Sequence, residues 1–321
     1  MGGALTSINV SLGGLAGIYL LAAQSELATL PVTTMIVGLA SGTIPAAMLL
    51  EKLGRRPGFM LGTGFAAVGG LIAFSAIMQG SFALFAFGNF VTGISFAFVQ
   101  QYRFVAAEGA SSAFKSRAIA TVLAGGIFAG VIGPQTVIFA KDAFLPIPYA
   151  GAYLAQSLLA LASLGVVSFF RPGPRQMRAA DAPPLPDPRP LLVILRQPRV
   201  ALATLCAVVS YSIMTLVMTA APLAMIACGF TTEEAALGIQ WHVIAMFAPS
   251  FVTGRLIARA GAETIAMIGL VLLGLCGVTA LLGITLGNFY VALILLGLGW
   301  NFGFIGATTM LTQAQRPEER A

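Results

Sequence analysis

Apolar runs rich in Ala, Leu, Gly, Phe and Val follow one another along the whole chain, separated by short polar knots. Each run is about 20 residues long, the length an α-helix needs to cross a hydrocarbon core about 30 Å thick. The runs lack the apolar/polar alternation of a barrel strand, and in lipid every backbone N–H and C=O must be satisfied within its own segment, so each run predicts a helix. Ten spans are expected, at 4–24, 28–50, 57–78, 81–106, 117–140, 148–170, 199–227, 236–256, 264–284 and 288–313. The first has no basic n-region and no clear small-residue cleavage site, so it reads as a span and not as a removable signal peptide.

The knots carry the charge. In Leu49 to Gly62, LLEKLGRRPGFMLG, Glu51, Lys52, Arg55 and Arg56 crowd around Gly54 between two apolar runs, in a chain with only 9% charged and 58% hydrophobic residues and a mean hydropathy of +0.93. Charge so rare belongs where the bilayer ends, and this knot predicts a tight turn between two membrane helices. With ten spans, Lys52, Arg55, Arg56, Arg103, Lys115, Arg117, Arg171, Arg175, Arg178, Arg189, Arg196, Arg199, Arg255, Arg259, Arg316 and Arg320 fall on one side and Lys141 alone on the other. That asymmetry makes the Glu51 turn and both termini cytoplasmic. The net charge of +6 thus reports topology, not a nucleic-acid partner. The expected fold class is an all-α, polytopic helical bundle in the lipid bilayer of a plasma membrane, the bacterial inner membrane. Cys206, Cys228 and Cys276 lie in or beside apolar runs without C-x-x-C spacing and are expected to be buried thiols; no metal site and no cofactor is expected.

Ala47-Met48-Leu49-Leu50-Glu51-Lys52-Leu53-Gly54-Arg55-Arg56 resembles G-x-L-A-D-R-x-G-R-R, the turn between helices two and three of the major facilitator superfamily. Glu51 and Lys52 keep the charges of that pattern, and Gly54 keeps its turn. A linker, Arg171 to Pro190, dense in Pro and charge, follows the sixth span, and Gly254 to Gly261 after the eighth is a weaker copy of the turn in which Ala258 stands for the acid. The resemblance implies a parallel repeat of helical halves: a six-helix half at 1–170, a cytoplasmic linker at 171–198 and a half at 199–321 with four helices, 6 + 4 in all. It also implies a conformational role for Glu51, Lys52, Gly54, Arg55 and Arg56; Arg103 and Glu108, at the cytoplasmic end of the fourth span, read either as partners of the turn or as solvated loop charges. The family plan has twelve spans and the chain stops at Arg316–Ala321, so the last two helices are expected to be lacking, and with them the helix eleven against which Glu51 would be braced.

By the same resemblance the central cavity is lined by helices one, four, seven and ten, which offers Asn9 and Tyr19, Asn89 and Thr92, Ser210, Tyr211 and Thr215, and Trp300 and Asn301. Asn89 stands where many members have an arginine, a departure from proton relays built on that residue. Trp300 and Asn301 are the most informative pair, because an indole N–H and an amide near mid-span are costly without partners; ligand contact and interhelical bonding are both open for them. No Asp, Glu, Lys or Arg falls near a span midplane, which suits a neutral or weakly polar organic solute. In helix five, Gly126, Gly130, Gly133 and Pro134 strip one face of side chains for close packing. Glu26, Asp142, Glu233 and Glu234 are expected on the outside, and His242, beside Gln240 and Trp241 near the outer end of span eight, could titrate near neutral pH.

Two functions follow. One is a secondary transporter moving a small solute by alternating access, with protons as the coupling ion. The alternative is a non-transporting membrane protein, an incomplete transporter or a sensor, on the same scaffold. H-E-x-x-H, G-x-S-x-G and P-loop motifs are lacking and the soluble segments are short, so an enzyme is not expected.

Overall fold

The computed structural model of the chain describes residues 2–21, 25–102, 105–106, 115–171, 189–190, 193–194 and 196–314. Its helices are α1 (Gly2–Leu21), α2 (Leu30–Lys52), α3 (Arg55–Met78), α4 (Phe82–Val99), α5 (Lys115–Ala140), α6 (Ala150–Ser168), α7 (Pro198–Ala227), α8 (Thr232–Phe247), α9 (Ser250–Ala260), α10 (Ala262–Leu281) and α11 (Leu286–Ala314), with a 3₁₀ turn at Ser25–Leu27. Among the described residues eight helices are each long and apolar enough to cross a membrane, and α8 with α9 makes a ninth if that bent pair is one span. Large apolar side chains stand outward along them, Phe139 and Phe169 among the most exposed. Helices apolar on every face need lipid around them.

Two expected spans come out differently. The span placed at 81–106 is helical as α4 to Val99 and passes into a turn at Gln100 and Gln101. The span placed at 236–256 is broken, with α8 and α9 meeting at 43° across Ala248 and Pro249. Proline has no N–H to continue the ladder and its ring crowds the preceding turn, which ends α8. Cys206 and Cys276 are buried as expected, but Cys228 is exposed, because α7 ends one residue before it.

The chain forms two compact units. One comprises Met1–Pro174 with Met218–Ile244, the other Arg175–Val217 with Ala245–Ala321. In the first, α4 packs closely on α2 and α3, α3 on α6 and α1 on α5, around Ile8, Leu12, Ile77, Phe85, Val137 and Tyr153. In the second, α10 and α11 form the tightest pair, and Arg199 at the start of α7 reaches Glu263 and Gln313.

Glycine sets how near these helices come. A methyl at Gly88 of α4 would lie 2.8 Å from the Ala73 nitrogen and 2.9 Å from the Gly69 oxygen of α3. At Gly299 of α11 it would lie 2.9 Å from the Leu273 nitrogen and 3.0 Å from the Gly269 oxygen of α10. A backbone-to-backbone crossing of this kind is thus found in both units, and in the first it recurs between α2 and α4 at Gly38 and Gly93. The turns that precede these pairs repeat as well. Gly54, between α2 and α3, has φ 89° and ψ 163°; Gly261, between α9 and α10, has φ 88° and ψ 154°. Residues with a Cβ avoid that region, so glycine is kept at both turns even where the acid is lost.

Candidate functional site

In the first unit the buried polar groups of α1, α4 and α6 meet. Asn9 donates through Nδ2 to the Leu5 carbonyl and to Oε1 of Gln156, both at 2.8 Å. Gln156 Nε2 stands 3.4 Å from the Thr92 hydroxyl, which donates to the Gly88 carbonyl at 3.1 Å. Asn89, one residue past the crossing glycine, donates to the Phe85 carbonyl at 2.9 Å. Asn9, Asn89 and Gln156 are fully buried and Thr92 nearly so. The Oδ1 atoms of Asn9 and Asn89 and the Ser11 hydroxyl have no partner, and acceptors left bare in the interior favour a donor brought to them. Gln156 was not singled out from the sequence, because helix six is not a cavity helix in the resembled family; its signal was that of Asn9, a lone amide in an apolar span. Tyr19 is apart from this cluster, 41% exposed and edge-on to Tyr149 at 6.2 Å.

In the second unit Asn301 and Trp300 have different surroundings. Asn301 is fully buried and donates to the Met246 carbonyl at 2.6 Å and the Ser250 hydroxyl at 2.8 Å, while accepting from the Thr253 hydroxyl at 2.7 Å. All three partners flank the break between α8 and α9, and one of them, the Met246 carbonyl, is a backbone acceptor that this amide takes up where the ladder is interrupted. Trp300 lies parallel to Phe304, with centroids 5.0 Å apart and 9° between planes, and at 69° to Phe247, 6.4 Å away. Tyr211 of α7 is 6.0 Å from Phe304. Phe247 and Phe304, like Gln156, were missed; apolar aromatics in apolar spans give no signal in one dimension. Ser210 is buried where α11 has only Gly303, and its hydroxyl has no partner. The Thr215 hydroxyl donates to the Tyr211 carbonyl at 2.9 Å.

Of the turn residues, Glu51, Lys52 and Arg56 are exposed and Arg55 is half-buried. Arg103 and Glu108 lie outside the described residues. In α5, which runs through a buried Pro134, a methyl at Gly130 would meet Val243 at 2.8 Å and one at Gly133 would meet the Ala4 carbonyl oxygen at 2.7 Å; Gly126 is half-buried.

The carboxylates expected on the outside are mostly engaged. Thr231 and Glu234 form a reciprocal capping box at the start of α8, with bonds of 2.8 and 3.2 Å. Lys141, nearly buried just after α5, pairs with Asp142 and with Glu233 at 2.8 Å. Burial pulls its ammonium down, but the hydrogen bonds and charges of Asp142 and Glu233 outweigh this and hold its pKa above the usual lysine value. A raised lysine contributes stability that is complete at neutral pH and is lost only above about pH 10.4. Lys141→Met is expected to loosen the start of α8 by about 1 kcal/mol, a small figure because Glu233 is partly exposed. Faster backbone hydrogen exchange over residues 228–236 checks this; unchanged exchange would remove the tie. His242 is fully buried within α8, although Trp241 beside it is exposed.

A family model described as Major Facilitator Superfamily matches residues 1–321. The riboflavin transporter RfnT of Brucella anthropi is 46% identical over 321 residues, covering 100% of this chain and 80% of that protein. YdeG of Bacillus subtilis, an uncharacterized MFS-type transporter, is 30% identical over 337 residues, covering 100% of this chain and 77% of its own. Among solved structures, a variant of the Escherichia coli fucose:proton symporter FucP superposes with a TM-score of 0.55 at 15% identity, over 97% of this chain and 87% of that one. At that identity the likeness speaks to fold alone.

Proposed function

Because the chain belongs to the Major Facilitator Superfamily, as a multi-pass secondary transporter and not an enzyme, we propose that it carries a neutral, weakly polar organic solute of the riboflavin class across the plasma membrane. The transport is by alternating access and is driven by a proton gradient, with residues 1–170 and 199–321 as the two halves, 171–198 as the cytoplasmic linker, and both ends of this chain on the cytoplasmic side. Within these halves Asn9, Asn89, Thr92, Ser210, Tyr211, Thr215 and Trp300 are the candidate solute contacts, and the Glu51 turn is the conformational element.

The observation that carries the reading is chemical. Apart from Lys141 at a helix end and His242, the buried polar side chains of the described residues are amides and hydroxyls, several with an atom left without a partner. Such groups recognise an uncharged solute by hydrogen bonds, whereas a phosphate or carboxylate would call for a buried cation. The relationship to a riboflavin transporter over the full length of this chain names the first solute to try.

Full chain in proteoliposomes is expected to accumulate riboflavin under an imposed pH gradient and to lose that accumulation when a protonophore is added. Equilibration without accumulation would remove the proton coupling, and no entry above empty liposomes would overturn the assignment of solute.

A further inference from the structure

The rings around Trp300 do more than fill space. Trp300 and Phe304 are one turn apart on α11 and share a face, while Gly299, Gly303 and Gly306 on another face carry the packing against α10 and Ser210. The ring face is met from α8 by Phe247, nearly perpendicular to the indole, and from α7 by Tyr211. All four rings are part-exposed, in contrast to Phe85 and Tyr153, which close the core of the first unit. The indole Nε1–H is shielded and has no acceptor. A donor in that state loses hydration without gaining a partner, so a carbonyl delivered to it gains a hydrogen bond with no competing bond to break. Nothing charged competes either: from Val200 to Thr232, from Ala235 to Gly254 and through all of α11 the chain has no Asp, Glu, Lys or Arg.

The mounting is stiff on both sides of the platform. Phe247 is the last residue of α8, and Asn301, next to Trp300, holds the Met246 carbonyl and the first turn of α9. The indole and the phenyl ring that meets it are therefore fixed by one amide across the helix break.

Resting on the transport reading above, we infer that Phe247, Trp300, Phe304 and Tyr211 form the subsite for the planar, uncharged heteroaromatic part of the solute. The ring system stacks on this aromatic surface, and Trp300 Nε1–H donates to one of its carbonyl oxygens. Offset and edge-on aromatic contacts supply the affinity, and the single donor fixes the orientation.

The test is equilibrium binding to the purified full chain in nanodiscs, read from flavin fluorescence. Riboflavin and lumichrome, which is the tricyclic ring without its polyol chain, are expected to bind, and ribitol is expected not to compete. Trp300→Leu removes stack and donor and is expected to weaken both ligands by about tenfold or more. Trp300→Phe keeps an aromatic face and is expected to lose about three- to tenfold, with elution and melting as in the parent. Parent-like binding in Trp300→Leu overturns the subsite and leaves the transport reading standing; parent-like binding in Trp300→Phe overturns the hydrogen bond. A parent chain that binds neither riboflavin nor lumichrome overturns subsite and solute class together, and competition by ribitol as strong as by lumichrome overturns the ring as the recognised part.

Discussion

Gly269→Val is expected to abolish the accumulation of folded protein. A Cβ at Gly269 would land on the backbone nitrogen of Gly303, with the Gly303 Cα at 2.6 Å and the Gly299 carbonyl oxygen at 2.8 Å. These are backbone atoms of a packed helix, so no side chain can swing away; α10 and α11 must separate. In lipid, helix association rests on such close packing, because burying apolar surface gains nothing over contact with acyl chains. Overpacking alone costs about 1–3 kcal/mol where neighbours can shift, and here they cannot. Even Gly269→Ala should lower the melting temperature clearly. Gly274 on the same helix is the control, since a Cβ there meets nothing within 4 Å; Gly274→Ala is expected to melt like the parent or slightly above it. Size-exclusion yield and thermal melting in detergent read the difference, and equal behaviour at the two sites would mean that α10 and α11 do not meet through Gly269.

The second large effect is expected at Asn301. Asn301→Leu keeps the volume and removes both donors and the acceptor, leaving the Met246 carbonyl and the Ser250 hydroxyl without this partner in the interior, while the Thr253 hydroxyl keeps the Pro249 carbonyl at 2.8 Å. At about 1–3 kcal/mol for each polar group stranded out of water, the variant should be among the least stable single substitutions away from the glycine crossings. The break supplies a sharper check. If Asn301 takes up the Met246 carbonyl because the break at Pro249 leaves it open, then in a Pro249→Ala background, where the ladder across 246–250 can close, the same substitution should cost less. A coupling of about 1 kcal/mol or more between the two sites is expected; strict additivity would mean that Asn301 does not serve the break.

These two residues mark where one dimension stops being informative. Gly269, Gly274 and Gly277 are alike in the sequence, three glycines in one apolar run. Which of them touches a neighbour depends on the rotation of α10 about its axis, and with apolar residues on every side of that helix no amphipathic stripe reports it. Asn301 stood out because an amide in mid-span must find partners, but whether they would come from a ligand or from another helix was open. The partners turned out to be the ends of a broken helix, and the break itself went unseen. Pro249 sits within a run apolar enough to read as one span, and prolines do occur inside membrane helices, as Pro45, Pro134 and Pro222 do here. Gln156, Phe247 and Phe304 were passed over for related reasons.

The sequence by itself determined that this chain is helical and lies in a membrane, because no other secondary structure satisfies the backbone of so many apolar runs. It also determined the family, through the Glu51 turn, where a positive-φ glycine, an acid and several bases are needed within a few residues and can be read in order. Only the tertiary structure decided which polar groups meet: Asn9 with Gln156 and Thr92, Lys141 with Glu233, Asn301 with the α8–α9 break, Trp300 with two phenyl rings and no acceptor. Local periodicity places a residue along its own helix. The rotation and neighbours of that helix come from packing between segments far apart in the chain, and the chemistry of a transport site depends on those neighbours.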